Sequence, residues 1–329
     1  MLGNLDVPTT AYWGVHTARA VENFPITGVP IGHYRSLVRA LAMVKQASAI
    51  ANFKLGELDE SIKDAIVAAC IEIEAGKFDS EFVVDAIQGG AGTSTNMNAN
   101  EVIANRALEI AGFEKGDYSK IHPLNHVNMS QSTNDVYPTA IKVALIIELR
   151  QLIRELEHLR GAFDRKAREF SSVIKMGRTQ LQDAVPMTLG QEFSTFGIMV
   201  GEDQDRLAGT VPLLSEINLG GTAIGTKLNA PAGYTEVVVE ELNKITDHEF
   251  VAAVNMVEAT QDAGVFITVS SVLKRVASKL SKVANDLRLL SSGPRAGFGE
   301  INLPARQAGS SIMPGKVNPV IPEAVMMVC

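Results

Sequence analysis

Residues 309–319 read Gly-Ser-Ser-Ile-Met-Pro-Gly-Lys-Val-Asn-Pro. Two Gly, two Pro, adjacent hydroxyls, a Lys and an Asn do not suit a strand or a helix interior, so the segment is expected to be a loop that presents its polar groups. The Lys offers a compact point charge and the Asn a directional donor. That composition suits a mobile lid carrying chemistry, hinged near Gly309 and Gly315. It does not suit a Walker-type phosphate loop. Gly309 lies six residues before Gly315 where that motif needs five, and Val317 stands where it needs a magnesium-binding hydroxyl.

Two further segments accompany the loop. One is Gly92-Thr-Ser-Thr-Asn-Met-Asn-Ala-Asn-Glu101. The other region holds Gln131-Ser-Thr-Asn-Asp-Val-Tyr-Pro-Thr139 and Gly177-Arg-Thr-Gln-Leu-Gln-Asp-Ala-Val-Pro186. Together, and in this order, they resemble the signatures of the aspartase/fumarase superfamily, and the resemblance runs through essentially the whole chain.

That resemblance implies reversible elimination of ammonia or water from a four-carbon dicarboxylic acid. The hard step is loss of a proton from carbon next to a carboxylate, which builds a doubly charged aci-carboxylate that the site must stabilise as it forms. By the same resemblance Ser310 is the carbon base, while Lys316 and Asn318 hold a substrate carboxylate. Thr93, Ser132, Thr133, Asn134 and Thr179 match substrate-binding positions. They are expected in breaks between helices, where backbone N–H groups add anion affinity. Arg178, Asn96 and Asn98 are expected behind that layer.

Gln180 bears on which molecule leaves. The water-eliminating branch carries His there, paired with a Glu that matches Glu323. Gln cannot titrate, so help for a departing hydroxide is missing. An alkylammonium already bears its proton, and the site suits elimination of ammonia. The words around Gln180 and the stretch 293–304 also look more like the aspartase side of the family. Water elimination, or a non-catalytic structural role such as that of related lens crystallins, stays open.

The remaining chemistry-bearing residues add little. His122 and His126 are four apart, but Pro123 spoils a helical ligand face and no third ligand is apparent, so no metal site is expected. His16, His33, His158 and His248 show no constellation. No cofactor is required on this reading, with activation by a divalent cation such as Mg2+ left open. Cys70 and Cys329 are far apart and offer no disulfide framework, which suits a reducing, cytoplasmic location.

The elements that must position these residues are helices, and the fold class expected is mostly α. Leu145, Leu149, Leu152, Leu156, Leu159 and Phe163 alternate spacings of four and three, as do Val269, Leu273, Val276, Leu280, Val283, Leu287 and Leu290. Ser132, Thr133, Asn134 and Asp135 are expected to cap the first helix, with Pro138 in its first turn. A third helix is expected over Pro186–Leu207, and a Gly- and Thr-rich excursion with room for short strands over Asn218–Pro231. Residues 1–133 would form a small N-terminal domain and 134–329 an aspartase/fumarase-like central bundle. The bundle is expected to be incomplete, without the family's C-terminal domain, because the chain ends as another apolar helix begins.

Of the 329 residues, 46% are hydrophobic and 20% charged, enough for a large core. A net charge of −7 gives no footprint for nucleic acid, and no apolar run reaches the ~18 residues of a membrane span. The expected partners are a small dicarboxylate and further copies of the chain, in a homotetramer whose sites are shared between subunits. Leucine stripes that face other subunits are expected to drive that association. With the later bundle helices missing, the 329-residue chain should be largely inactive in assay, and poorly soluble or polydisperse on size-exclusion chromatography with light scattering. A monodisperse monomer there would show that the stripes are satisfied within one chain.

Overall fold

The computed structural model describes residues 5–329. Its helices are α1 (Val15–Asn23), α2 (Arg35–Lys54), α3 (Glu60–Glu74), α4 (Thr93–Ile110), α5 (Thr133–Glu169), α6 (Leu189–Ala208), α7 (Val211–Ser215), α8 (Tyr234–Thr246), α9 (Met256–Gln261), α10 (Gly264–Leu290) and α11 (Val320–Val328). Its strands are β1 (Ile174–Thr179), β2 (Gln182–Thr188), β3 (Glu216–Ile217) and β4 (Val251–Ala252). The fold is mostly helical, as the sequence predicts. Among the described residues, no helix is long and apolar enough to cross a membrane.

The chain divides into two compact units. One runs to Glu148 and takes in Pro212–Asp262; the other holds Leu149–Val211 and Ala263–Cys329. The boundary expected at 133/134 therefore falls inside the first unit. The cause is local: the first turn of α5 is tied to residues 218–223, so the chain around 133 cannot be separated from the 212–262 excursion.

In the first unit α2 is the central element, buried from Val38 to Asn52 along most of its length and packed on α3 and α8, while α3 and α1 pack on α4. Apolar residues cover almost all faces of α2, which is what an element surrounded by others requires. Glu101, buried on α4, ties down the start of α1. Its carboxylate accepts from the backbone N–H groups of Gly14 (2.8 Å), His16 (2.9 Å) and Thr17 (3.1 Å) and from the Thr17 hydroxyl (2.6 Å). A carboxylate borrowed from another helix thus takes the place of a side-chain cap, which Gly14 lacks.

Pro138 sits in the second turn of α5 rather than the first. Its missing N–H leaves the Asn134 carbonyl without the usual i+4 donor, and Asn218 Nδ2 supplies one at 3.0 Å. The excursion expected over 218–231 is mostly turns. The short strands lie beside it, with β3 parallel to β4. Lys142 Nζ donates to the Glu216 carbonyl of β3 at 2.6 Å.

In the second unit the C-terminal half of α5 and α6 run antiparallel. Phe163 meets Phe196 edge-on at 5.6 Å, and Gln204 Nε2 donates to the Ile153 carbonyl. Close approach depends on Gly190, where a Cβ would meet the Ala167 carbonyl oxygen at 2.5 Å. α10 runs antiparallel to α6, with Arg275 and Lys279 on Glu202 and Asp203. Both heptad stripes lie as expected, with a finer pattern within them. Leu149, Leu156 and Phe163, and Val269, Val276, Val283 and Leu290, are buried, whereas the stripe members between them are half-covered.

The third helix starts at Leu189, not Pro186. Residues 182–188 form β2, paired antiparallel with β1. Thr188 fixes the change of structure through a capping box: its hydroxyl accepts from Gln191 N–H at 3.1 Å and Gln191 Oε1 accepts from Thr188 N–H at 2.9 Å.

Phe196 is buried amid Phe163 and Phe193, with Lys282 Nζ 5.6 Å from its ring centre. Phe196→Ala should cost about 3–5 kcal/mol through lost transfer energy and a cavity, read as a lower midpoint in urea unfolding. A change below about 1 kcal/mol would mean that the cluster collapses around the gap.

Candidate functional site

The polar residues singled out from sequence fall into both units. The first holds Thr93, Ser132, Thr133 and Asn134; the second holds Thr179, Gln180, Ser310, Lys316 and Asn318.

In the first unit, the N-termini of α4 and α5 meet. Gly92, at φ +91°, precedes α4, and a Cβ there would lie 2.2 Å from the Tyr137 ring of α5, so only glycine fits. Thr93 is the first residue of α4, exposed, with its hydroxyl donating to the Gly90 carbonyl at 2.7 Å. Ser132 precedes α5 and its Oγ accepts from Asn134 N–H at 3.2 Å, while Asp135 Oδ1 accepts from Ser132 N–H at 2.9 Å. Thr133 Oγ1 accepts from Asn96 Nδ2 at 3.1 Å. Asn134, exposed, donates through Nδ2 to the Ala223 carbonyl at 2.7 Å. Two helix N-termini thus lie side by side, edged by short hydroxyls and an amide, a cradle of the kind that favours an anion. Asn96 belongs to this cradle. Asn98 does not: its amide holds the Glu81 carbonyl, at 2.9 Å.

In the second unit, Thr179 closes β1 rather than lying in a break between helices, which corrects the expectation for it. Gln180 and Leu181 form the two-residue turn to Gln182, both left-handed at φ 55° and 62°. Such turns favour Asn-Gly, and each non-glycine residue costs about 1–2 kcal/mol there. Unrelieved backbone strain of this kind concentrates at functional sites. Gln180 and Leu181 line an open cleft of about 400 Å3 with Lys175, Arg178 and Lys282. Leu181 also lines an adjoining cleft of about 730 Å3, together with Arg288, Asn285, Lys316 and Asn318.

The hairpin is braced by Glu300, which sequence reading overlooked. Its carboxylate bridges Lys175, at 2.9 Å, and Arg178, both on β1. Lys175 also pairs with Glu192 of α6. Arg178 stacks on the Phe298 ring with its guanidinium carbon 4.3 Å from the ring centre. Burial tends to raise the Glu300 pKa, but its bonds to Arg178 and Lys175 win and hold it below the usual carboxylate range. Residues 178–181 are therefore mounted on a charged brace.

The loop 309–318 is closed at its base. Ala308 and Val317 bridge, Gly309 N–H donates to the Lys316 carbonyl at 2.7 Å, and Asn318 Nδ2 donates to the Gly309 carbonyl at 3.2 Å. A Cβ on Gly309 would meet Asn318 Oδ1 at 2.6 Å. Within the loop, Ser310 Oγ accepts from the backbone N–H groups of Ile312 and Met313, both at 3.2 Å. Two donors on one hydroxyl oxygen favour negative charge on it. Lys316 is exposed. Asn318 serves first as the clasp of the loop, a role not legible from its type.

His122 and His126 are occupied locally. His122 Nδ1 accepts from Leu124 and Asn125 N–H, and His126 Nδ1 accepts from His122 N–H at 2.9 Å. Among the described residues, no group of three His, Cys, Asp or Glu side chains is gathered to hold a metal. His248, for which the sequence shows no constellation, has its Nε2 2.8 Å from Ser215 Oγ. Cys70 and Cys329 are both free thiols, and burial pushes the Cys70 thiol up.

Asn318→Ala removes the clasp. Amide exchange at Gly309 and Lys316 should quicken about tenfold, as expected for one lost hydrogen bond, with the thermal midpoint nearly unchanged. Equal exchange in both proteins would mean that the backbone bridge alone holds the loop.

Known proteins resemble this chain over its whole length. The lyase family model matches residues 3–329. An aspartate ammonia-lyase of Pseudomonas aeruginosa is 60% identical over 329 residues, all of this chain and 69% of the relative. One of Escherichia coli is 53% identical over 330 residues, again 69% of its length. The crystal structure of fumarate lyase:delta crystallin from Brucella melitensis bound to cobalt superposes with TM-score 0.97 at 60% identity, covering 100% of this chain and 71% of the other. Class II fumarase from Schistosoma mansoni superposes with TM-score 0.95 at 38% identity, covering 100% and 72%. Matched by the family model over residues 3–329 and spanning about 69% of the length of these aspartate ammonia-lyases, the chain belongs to the lyase family.

Proposed function

We propose that this chain is an aspartate ammonia-lyase, converting L-aspartate reversibly to fumarate and ammonia. The observation that carries the reading is Gln180, an amide that cannot titrate, held at a strained turn on the rim of a cleft. A leaving ammonium brings its own proton and needs none from the protein; a leaving hydroxide does. The 53–60% identity to proteins named aspartate ammonia-lyase supports the same choice.

In the reaction, Ser310 Oγ takes a proton from the carbon beside the β-carboxylate, and the electron pair left behind forms the aci-carboxylate. That pair then makes the carbon–carbon double bond as the carbon–nitrogen bond breaks, and ammonia leaves with the bonding electrons. The Ile312 and Met313 N–H groups on Ser310 Oγ support its role as base, since they stabilise an alkoxide. Lys316 and Asn318 hold one carboxylate. The cradle of Thr93, Ser132, Thr133 and Asn134 holds the other, with Thr179 and Gln180 at the departing group.

No cofactor enters this scheme, and a divalent cation such as Mg2+ acts at most as an activator. The working form is a homotetramer with shared sites, and the free thiols suit the cytoplasm. Class II fumarase is the second reading, favoured by the 38% identity to the Schistosoma mansoni enzyme over the whole chain.

The test is fumarate absorbance from L-aspartate beside L-malate. Signal from aspartate alone is expected. Signal from malate alone favours the fumarase reading, and none from a folded protein favours a structural role. Ser310→Ala should lower kcat by about three orders of magnitude with dicarboxylate binding nearly intact. Lys316→Ala should raise KM and lower kcat/KM, because the same charge meets carboxylate in the ground and transition states. Near-normal turnover in Ser310→Ala would falsify the base assignment.

A further inference from the structure

Lys45 lies in the middle of α2, fully buried among mostly apolar neighbours of the helix. Such a lysine is costly unless its ammonium is fully bonded. Its Nζ donates to Asn128 Oδ1 at 2.8 Å and to Gln131 Oε1 at 3.0 Å.

Asn128 is a junction. Its Oδ1 also accepts from Asn96 and Asn100 Nδ2 of α4, each at 3.1 Å, and its Nδ2 donates to the Gln131 carbonyl at 3.2 Å. Gln131 Nε2 donates to the Val127 and Met129 carbonyls, both at 3.0 Å. Asn96 carries the connection onward to Thr133 Oγ1. The network therefore ends on the residue just before Ser132 and on Thr133 itself. On the other side of the segment, the buried Asp135 carboxylate accepts from Ser132, Gly220 and Thr222 N–H.

We infer that Lys45, through Asn128 and Gln131, is a positioning residue that sets the geometry of the Ser132–Asn134 cradle for a substrate carboxylate. The inference rests on the proposed dicarboxylate reading of that cradle. Lys45 touches no substrate. It orients the side chain and carbonyl of Gln131 and, with Asn96, fixes where the hydroxyls of Ser132 and Thr133 stand. Burial pushes the pKa of the Lys45 ammonium down to about 7, with the charge of Asp135 pulling the other way. A lysine kept under that penalty, bonded only to neutral amides, is better explained by orientation than by stability.

The test uses the whole chain and succinate, a dicarboxylate with no leaving group. Lys45→Met keeps the volume and removes the donor; Gln131→Ala removes the acceptor, lies at the edge of the core and decides the matter should Lys45→Met not fold. Both are expected to weaken succinate binding about tenfold, the equivalent of one lost charge-assisted hydrogen bond, by calorimetry on the folded fraction. Both should also quicken amide exchange at Ser132 and Asn134 while leaving α3 and α8 unchanged. A purely structural role would lower the melting temperature and raise exchange throughout, with succinate affinity unaltered, and that result overturns the inference. Should the unaltered chain itself not bind succinate, the dicarboxylate reading falls, and unchanged exchange at Ser132 and Asn134 would then overturn the positioning role as well.

Discussion

A buried carboxylate with no full counter-ion has to be surrounded by donors, and in the first unit that requirement falls on Asp135. Burial pushes its carboxyl up to about 6, against the pull of the N–H groups of Ser132, Thr222 and Gly220 and of the nearby Lys45 charge. Those three N–H groups come from two stretches of chain far apart in sequence. Satisfying one side chain therefore fixes the first turn of α5, closes the 218–223 excursion over it, and brings Asn218 to the carbonyl that Pro138 leaves without a donor. The same constraint explains why the compact unit runs past residue 133 and takes back 212–262.

In the second unit the brace is a charge pair rather than a backbone cup. Glu300 gathers two cations from one strand, and that strand ends in the strained turn at Gln180 and Leu181. The turn is not held by favourable local chemistry, since Asn-Gly would form it more readily. It is held by β-pairing on both sides, by the capping box that starts α6, and by the ion pairs under Arg178 and Lys175. Strain of a few kcal/mol survives where the surroundings over-determine it.

Much of this was legible in the sequence and the rest was hidden for physical reasons. The leucine stripes predict α5 and α10 because a helix side must repeat every 3.6 residues. The loop 309–318 is legible because Gly, Pro and adjacent polar residues exclude other structure. The β1–β2 hairpin is not, since 174–188 lacks both clean alternation and a turn dipeptide, and Pro186 mimics a helix start. Lys45, Asn128 and Glu300 act through contacts between residues many positions apart, which no local pattern encodes. A lone Lys in the apolar run of α2 was the available signal. The two roles of Asn318, as expected carboxylate donor and as observed clasp, could be separated only once the Gly309 carbonyl was seen beside it.

Two ways of holding small polar groups thus coexist in one chain. The first unit uses neutral amides and backbone N–H groups around the buried charges of Lys45 and Asp135. The second sets Lys316 exposed at a cleft edge, on a loop closed at its base by one backbone bridge and the Asn318 clasp. Rigid, pre-oriented donors discriminate by geometry, because they cannot follow a misplaced anion. A long-stemmed exposed lysine on a loop discriminates little and can follow its anion as charge grows.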